Sequence, residues 1–156
     1  MTFPGDSRIE LNDRPIAHLL VRMIVGPVFL IEGIQKFLFS DSLGVGRFMA
    51  IGIPRPEVMA PFIGVVEIVC GLLVLVGLFT KPASIPLLIN ILVAIYTTKI
   101  PILVAKGFWA MAHEARTDWS MLLGLVFLLI VGGGRWSLDF FISRRRMRRR
   151  GSRHRT

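Results

Sequence analysis

The chain has 156 residues, 53% of them hydrophobic, and a formal net charge of +9. A mean hydropathy of +0.65 is above the range of a soluble domain of this size and excludes a soluble globular enzyme. The single cysteine, Cys70, excludes an internal disulfide and any CxxC relay, and reads as a small packing residue.

The first fifteen residues are polar and include Asp6, Glu10 and Asp13, unlike the basic start of a signal peptide. The apolar stretch that follows, 16–38, is too long for a signal core and reads as a retained membrane helix. Three more apolar stretches lie at 58–79, 83–105 and 117–134. Each is close to the ~20 residues a helix needs to cross a ~30 Å hydrocarbon core. The last is short and relies on Trp119 and Trp136 as interfacial anchors. The expected fold is all-α: an integral membrane four-helix bundle, a single domain over 1–143, with an arginine-rich tail at 144–156.

Between the first two stretches, "GVGRFMAIGIPRP" (44–56) can form a short interfacial helix before Pro54 and Pro56 turn the chain. "TKPAS" (80–84) reads as a tight turn joining the second and third helices. "KGFWAMAHEARTD" (106–118) sets Phe108 and Trp109 at headgroup level. "GGG" (132–134) ends the fourth helix, and Ser137 can cap a new turn. Leu138, Phe141 and Ile142 then recur at helical spacing, which predicts a short amphipathic helix on the membrane surface.

"RRRMRRRGSRHRT" (144–156) holds eight arginines and no acid, and subtracting them from +9 leaves +1. Directly after a membrane helix, such a tail reads as an anchor on anionic lipid rather than as a nucleic-acid-binding arm. With both termini in the cytoplasm, the inner side carries Arg8, Arg14, Lys81, Arg135 and the eight tail arginines, twelve cations in all. The outer side then carries Arg47, Arg55, Lys106, Arg116, Lys36 and Lys99, which are six. The positive-inside rule therefore places both termini in the cytoplasm.

Three helices carry small or polar stripes. The first has Arg22, Gly26, Phe29, Gly33 and Lys36, extended by His18, with Glu32 one turn before Lys36. The second has Ala60, Gly64, Glu67, Gly71 and Val74, and the third Pro86, Asn90, Ala94, Thr97 and Pro101. Lys99 lies off the third stripe near a helix end and can snorkel. Small residues allow close packing in lipid and polar ones bond across it. Glu67 stands out, because a charge at mid-membrane costs roughly 3 kcal/mol. It should face the interior, at the base of a cavity open to the outer side, and pair with a cation. Depth counted from the helix ends favours Arg22 over Lys36, with His18, Asn90 or a water completing the site. Asp118 with Lys36 or Arg116 is a second expected pair. The candidate ligand-binding residues are thus Arg22, Lys36, Glu67, Asn90 and Asp118, with no metal site. A haem is disfavoured because His18 and His113 lie at opposite ends.

Several motifs, in order, resemble the DoxX family of small bacterial four-helix membrane proteins: "RMIVGPVFLIEGIQK", "GIPRP", "GVVEIVCGLLVLVGLFTKPA", "GFWAMAHEARTDWSML" and "GGGRWSLD". The resemblance spans roughly 15–140. It implies location in the inner membrane and a redox neighbourhood, since the family takes its name from a subunit associated with thiosulfate:quinone oxidoreductase. Three functions are open at this point. One is a quinone-associated redox subunit. The second is an accessory or scaffold subunit that associates with other membrane subunits or with itself. The third, a small-solute or lipid transporter, is disfavoured by the lack of an inverted repeat or broken helix pair.

Overall fold

A computed structural model describes residues 15–144. Among them the secondary structure is entirely helical: α1 (Pro15–Leu38), α2 (Val45–Ala50), α3 (Pro56–Val76), α4 (Thr80–Ala94), a π-helical turn (Ile95–Lys99), α5 (Ile100–Lys106), α6 (Phe108–Glu114) and α7 (Arg116–Val131). A last helix, α8, covers residues 138–144. The expected tail at 145–156 and the polar start at 1–14 lie outside the described residues. Among the described residues three helices are long and apolar enough to cross a membrane: Ile16–Leu38, Pro56–Val76 and Thr80–Lys106. The last of these is α4, the π turn and α5 in one continuous rod. α7, with 16 residues, is shorter.

Glycines set how α1 meets α3. A Cβ on Gly33 would lie 2.7 Å from the Gly64 carbonyl oxygen and 2.8 Å from Ile68, and one on Gly71 would lie 3.0 Å from the Gly26 carbonyl oxygen. Gly26 also faces Leu75. The helices are therefore antiparallel, and their backbones approach to where only glycine fits. The buried residues of α3 are Ala60, Gly64, Glu67, Gly71 and Val74, the stripe read from the sequence.

α4 departs from its expected stripe. Its buried face is Thr80, Ala83, Ser84, Leu87 and Ile91, while Pro86, Asn90, Ala94 and Thr97 are half-buried and Pro101 is exposed. Small residues mark close backbone approach, as between α1 and α3. α4 contributes Leu87 and Ile91 to the core shared with α7 as well as the small Ala83, so smallness alone did not mark its buried face. Leu87 and Ile91 join Met121, Leu125 and Leu128 of α7 and Val25 and Phe29 of α1 in one core.

The turns also differ in part from expectation. "TKPAS" opens α4 instead of turning the chain. The reversal is Gly77–Phe79, where Gly77 (φ +73°) takes the left-handed conformation that ends α3. The Leu78 N–H donates to the Leu73 carbonyl and the Gly77 N–H to the Val74 carbonyl, both closing orphan groups of α3. Phe79 is also left-handed (φ +49°), which is costly for a residue with a side chain. Elsewhere the short helices form where the sequence places them. α2 buries Phe48, and Ser137 caps α8, its Oγ accepting from the Phe140 N–H at 3.2 Å.

The π turn has a local cause. Pro101 has no N–H for the Thr97 carbonyl, and its ring crowds that carbonyl. The helix widens over Ile95–Lys99 to relieve the crowding. Thr98 Oγ1 donates to the Ala94 carbonyl at 2.6 Å and Thr97 Oγ1 to the Val93 carbonyl at 2.8 Å along the widened stretch.

Candidate functional site

Glu67 faces the interior of the helix assembly and is 3% exposed. Its carboxylate is held by two side chains. Lys36 Nζ of α1 donates to Oε2 at 2.6 Å, and Asn90 Nδ2 of α4 donates to Oε1 at 2.6 Å. Three helices thus converge on one carboxylate. Glu32, one turn before Lys36, lies 4.0 Å from the same ammonium and is half-exposed, so the cluster runs from the α1 surface to the interior. Glu67 needs this arrangement, because an ionised carboxylate in an apolar span is retained only when paired and hydrogen-bonded.

The expected Arg22–Glu67 pair does not form. Arg22 is 3% exposed and sits at the other end of α3, beside Gly77. Ten residues separate Gly77 from Glu67, or ~15 Å of helix. Arg22 Nε donates to the Val74 carbonyl at 2.9 Å and Nη2 to the Leu75 carbonyl at 2.6 Å. Its Nη1 reaches the Trp136 carbonyl at 2.9 Å and the Gly133 carbonyl at 3.2 Å. Depth counted from helix ends failed because those ends are not level. α1 starts beyond the end of α3, and its first two turns pack against the segment that follows α7. The glycines are the better ruler, and they bring Lys36 close to the level of Glu67.

His18 does not join Glu67 either. It is buried beside Gly134 and stacks at a tilt on Phe127, with ring centroids 5.6 Å apart. Asp118 meets neither Lys36 nor Arg116. Its partner is Lys99, at 3.3 Å. The π turn explains this, since widening the helix redirects Lys99 from the orientation a regular α-helix would give it. Of the five candidate residues, then, Lys36, Glu67 and Asn90 come together, and Arg22 and Asp118 do not.

Asp139 was not singled out in the sequence, yet it completes the Arg22 end. Its carboxylate accepts from the N–H groups of Phe79 (3.0 Å) and Thr80 (3.3 Å), capping α4, and its own N–H donates to the Gly77 carbonyl at 3.1 Å. Lys81 Nζ donates to the Ile130 carbonyl near the end of α7 at 2.9 Å. The available signal was the aspartate in "RWSLD" within reach of a helix start, but capping from a distant segment leaves no local pattern.

Residues 17–100 match the model of the family DoxX, which is more than half of the chain. The chain belongs to the DoxX family. Among DoxX-type relatives, it is 53% identical over 148 residues to the membrane protein Rv3486 of Mycobacterium tuberculosis, covering 91% of each chain. It is 29% identical over 127 residues to a Bacillus subtilis protein named "Putative oxidoreductase CatD", covering 81% of this chain and 87% of the relative. It is also 29% identical over 135 residues to the inner membrane protein YphA of Escherichia coli, covering 81% and 90%. No solved structure matches the chain. This is a small membrane protein of the DoxX family, and the matched region contains Arg22, Lys36, Glu67 and Asn90.

Proposed function

We propose that the chain is a redox-associated subunit of the bacterial inner membrane, whose Lys36–Glu67–Asn90 cluster binds a quinone headgroup. The observation that carries this reading is a buried carboxylate gripped by an ammonium and an amide from two other helices. A quinone needs hydrogen-bond donors for its carbonyls and a group that can carry a proton. The donor chemistry fits. An ammonium carries three N–H donors and an amide two; Glu67 takes one from each and the Glu32 carbonyl a second from Lys36, which leaves one N–H on each side chain for a ligand. Lys36 and Asn90 would hold the carbonyls, and Glu67 would hold or pass the proton, with Glu32 on the surface side of the cluster. Electrons would come from a partner enzyme. Arg22 and Asp118 leave the proposed site, because both are committed elsewhere. The oxidoreductase name borne by the relative CatD agrees with this reading.

In the same reading, α7 is a fourth span, shortened but anchored by Trp119 and Trp136. Both termini lie in the cytoplasm, and the arginines of 144–156 rest on anionic lipid. A cysteine at Ser152 should then stay unlabelled by an impermeant reagent added to intact cells. Truncation after Ser143 should leave a folded protein.

A second reading is that of an accessory subunit without its own ligand, associated with other membrane subunits or with itself. It is favoured by the fact that each oxygen of Glu67 already has a donor. Mass spectrometry of the purified protein with its co-extracted lipids separates the two. A quinone recovered with the wild type and lost from Asn90→Ala, with helicity unchanged, supports the first reading. A stoichiometric protein subunit without quinone supports the second and refutes the first.

A further inference from the structure

At the end of the molecule away from Arg22 there is a second feature that the Glu67 cluster does not use. The π turn, α5, α6 and the start of α7 line a half-open apolar recess of about 100 Å³, bordered by Ile95, Ile100, Leu103, Met111, Ala115 and Trp119. Lys99 also borders it, but its ammonium is tied to Asp118 at 3.3 Å, so the wall presents almost no polar surface. The recess borders the turn that Pro101 widens, and π turns are frequent at functional sites.

The address of the recess decides its occupant. The rod Thr80–Lys106 crosses the membrane with only 11% of its apolar window buried inside the protein, the least of the three spans. A recess on that rod opens towards hydrocarbon. Two exposed cations flank its lining residues in the chain: Lys106 lies three residues, about one turn, after Leu103, and Arg116, which contacts His113 at 3.3 Å, adjoins Ala115. In the segment 106–118 the remaining acids are Glu114 and Asp118, and Asp118 is already paired with Lys99.

We propose that this recess seats part of one acyl chain of an anionic phospholipid, with the lipid phosphate held by Lys106 and Arg116. The chain supplies the apolar contact, and the two cations supply the preference for negative headgroups. This site is independent of the quinone reading, because it shares no residue with the Glu67 cluster.

Trp119 makes the proposal measurable. A full-length variant carrying Trp109→Phe and Trp136→Phe leaves Trp119 as the only tryptophan. Reconstituted into phosphatidylcholine bilayers, its fluorescence should be quenched by acyl-brominated phosphatidylglycerol at about one-fifth or less of the mole fraction needed with acyl-brominated phosphatidylcholine. That factor is what one surface cation gives. Adding Lys106→Gln and Arg116→Gln to the Trp119-only protein should abolish the preference while leaving quenching by phosphatidylcholine in place. Equal quenching by the two lipids would overturn the proposal. So would a preference that survives the double substitution, or protection of Trp119 that grows with protein-to-lipid ratio, which would mean that a second copy fills the recess. Circular dichroism of each variant confirms that the helices are intact before the comparison is made.

Discussion

Arg22 donates to four backbone carbonyls, those of Val74, Leu75, Gly133 and Trp136, with the Asp139 carboxylate nearby, whereas Glu67, ten residues of helix away from that end of α3, is held by two side chains, Lys36 and Asn90. Both charges are almost fully buried in apolar surroundings. The carbonyls belong to the end of α3 and to the segment after α7, so the guanidinium ties three parts of the chain and leaves little for a ligand to replace. The Glu67 cluster is different in kind. Its donors sit on flexible side chains with further N–H groups, and one of its neighbours, Glu32, is half-exposed. A cage of carbonyls suits fold maintenance, and a cluster of exchangeable side chains suits binding.

That contrast fails if Arg22 can be replaced cheaply. Arg22→Met should give the largest destabilisation in the molecule, about 4 kcal/mol, because it strands several carbonyls and removes charge-assisted hydrogen bonds. Arg22→Lys should recover little, since a point ammonium cannot reproduce a fork that reaches four acceptors. Unfolding by sodium dodecyl sulfate titrated into mixed micelles measures both. A lysine variant as stable as the wild type would show that only the charge matters at this end.

At the other end, either Glu67→Gln or Lys36→Met should cost about 3 kcal/mol, because each leaves a buried charge without its partner. The double variant should regain most of that loss, and the double-mutant cycle should show strong coupling. Additive losses would mean that Lys36 and Glu67 do not interact in the folded protein. If the cluster binds quinone, the double variant should be folded and empty.

Much of this was legible in the sequence, and the misses share a cause. The α3 stripe, the inward Glu67, the Asn90 contact and the cap by Ser137 follow from local periodicity and the cost of burying charge. The Arg22 pairing failed because it depended on how two helices slide past each other. Gly26 and Gly33 are seven residues apart, as are Gly64 and Gly71, and matching those pairs in antiparallel sense gives the observed register. Lys99 was assigned to snorkelling because a regular helix was assumed through Pro101. Asp139 was missed because a cap supplied from across the molecule leaves no mark in the sequence it caps.

The glycine ruler can be tested directly. Gly33→Ala would place a methyl 2.7 Å from the Gly64 carbonyl oxygen, and backbone cannot move as a side chain can. Overpacking of this kind should cost about 2 kcal/mol and shift α1 against α3. It should also weaken the Lys36–Glu67 coupling measured above, since that contact depends on the same register. Unchanged coupling would show that the side chains, not the glycines, set the register.

Asp139→Asn should cost less, about 1 kcal/mol. It weakens a cap on α4 and removes a negative charge from a helix start while keeping an oxygen that can still accept a hydrogen bond. The effect should be local: faster hydrogen exchange at Phe79 and Thr80, with Gly64–Gly71 unchanged.

The smallest effect is expected at the third polar contact, Lys99–Asp118. Lys99 is about as exposed as Lys36, 12% against 11%, but Asp118 keeps 16% where Glu67 keeps 4%, and Lys99 sits near the end of the Thr80–Lys106 span. Lys99→Gln or Asp118→Asn leaves the other charge a route to water, so each should cost less than about 1 kcal/mol. The double variant should be close to the sum of the singles, unlike Lys36 with Glu67. The two pairs differ in the burial of the carboxylate, in separation (3.3 Å against 2.6 Å) and in the Asn90 amide that holds Glu67, while both join an amine to a carboxylate from another helix. A loss at Lys99 as large as that at Lys36, in the same micelle titration, would therefore mean that burial in the span does not govern the Glu67 cluster, and the distinction drawn between its exchangeable side chains and the rest of the polar contacts would fall with it.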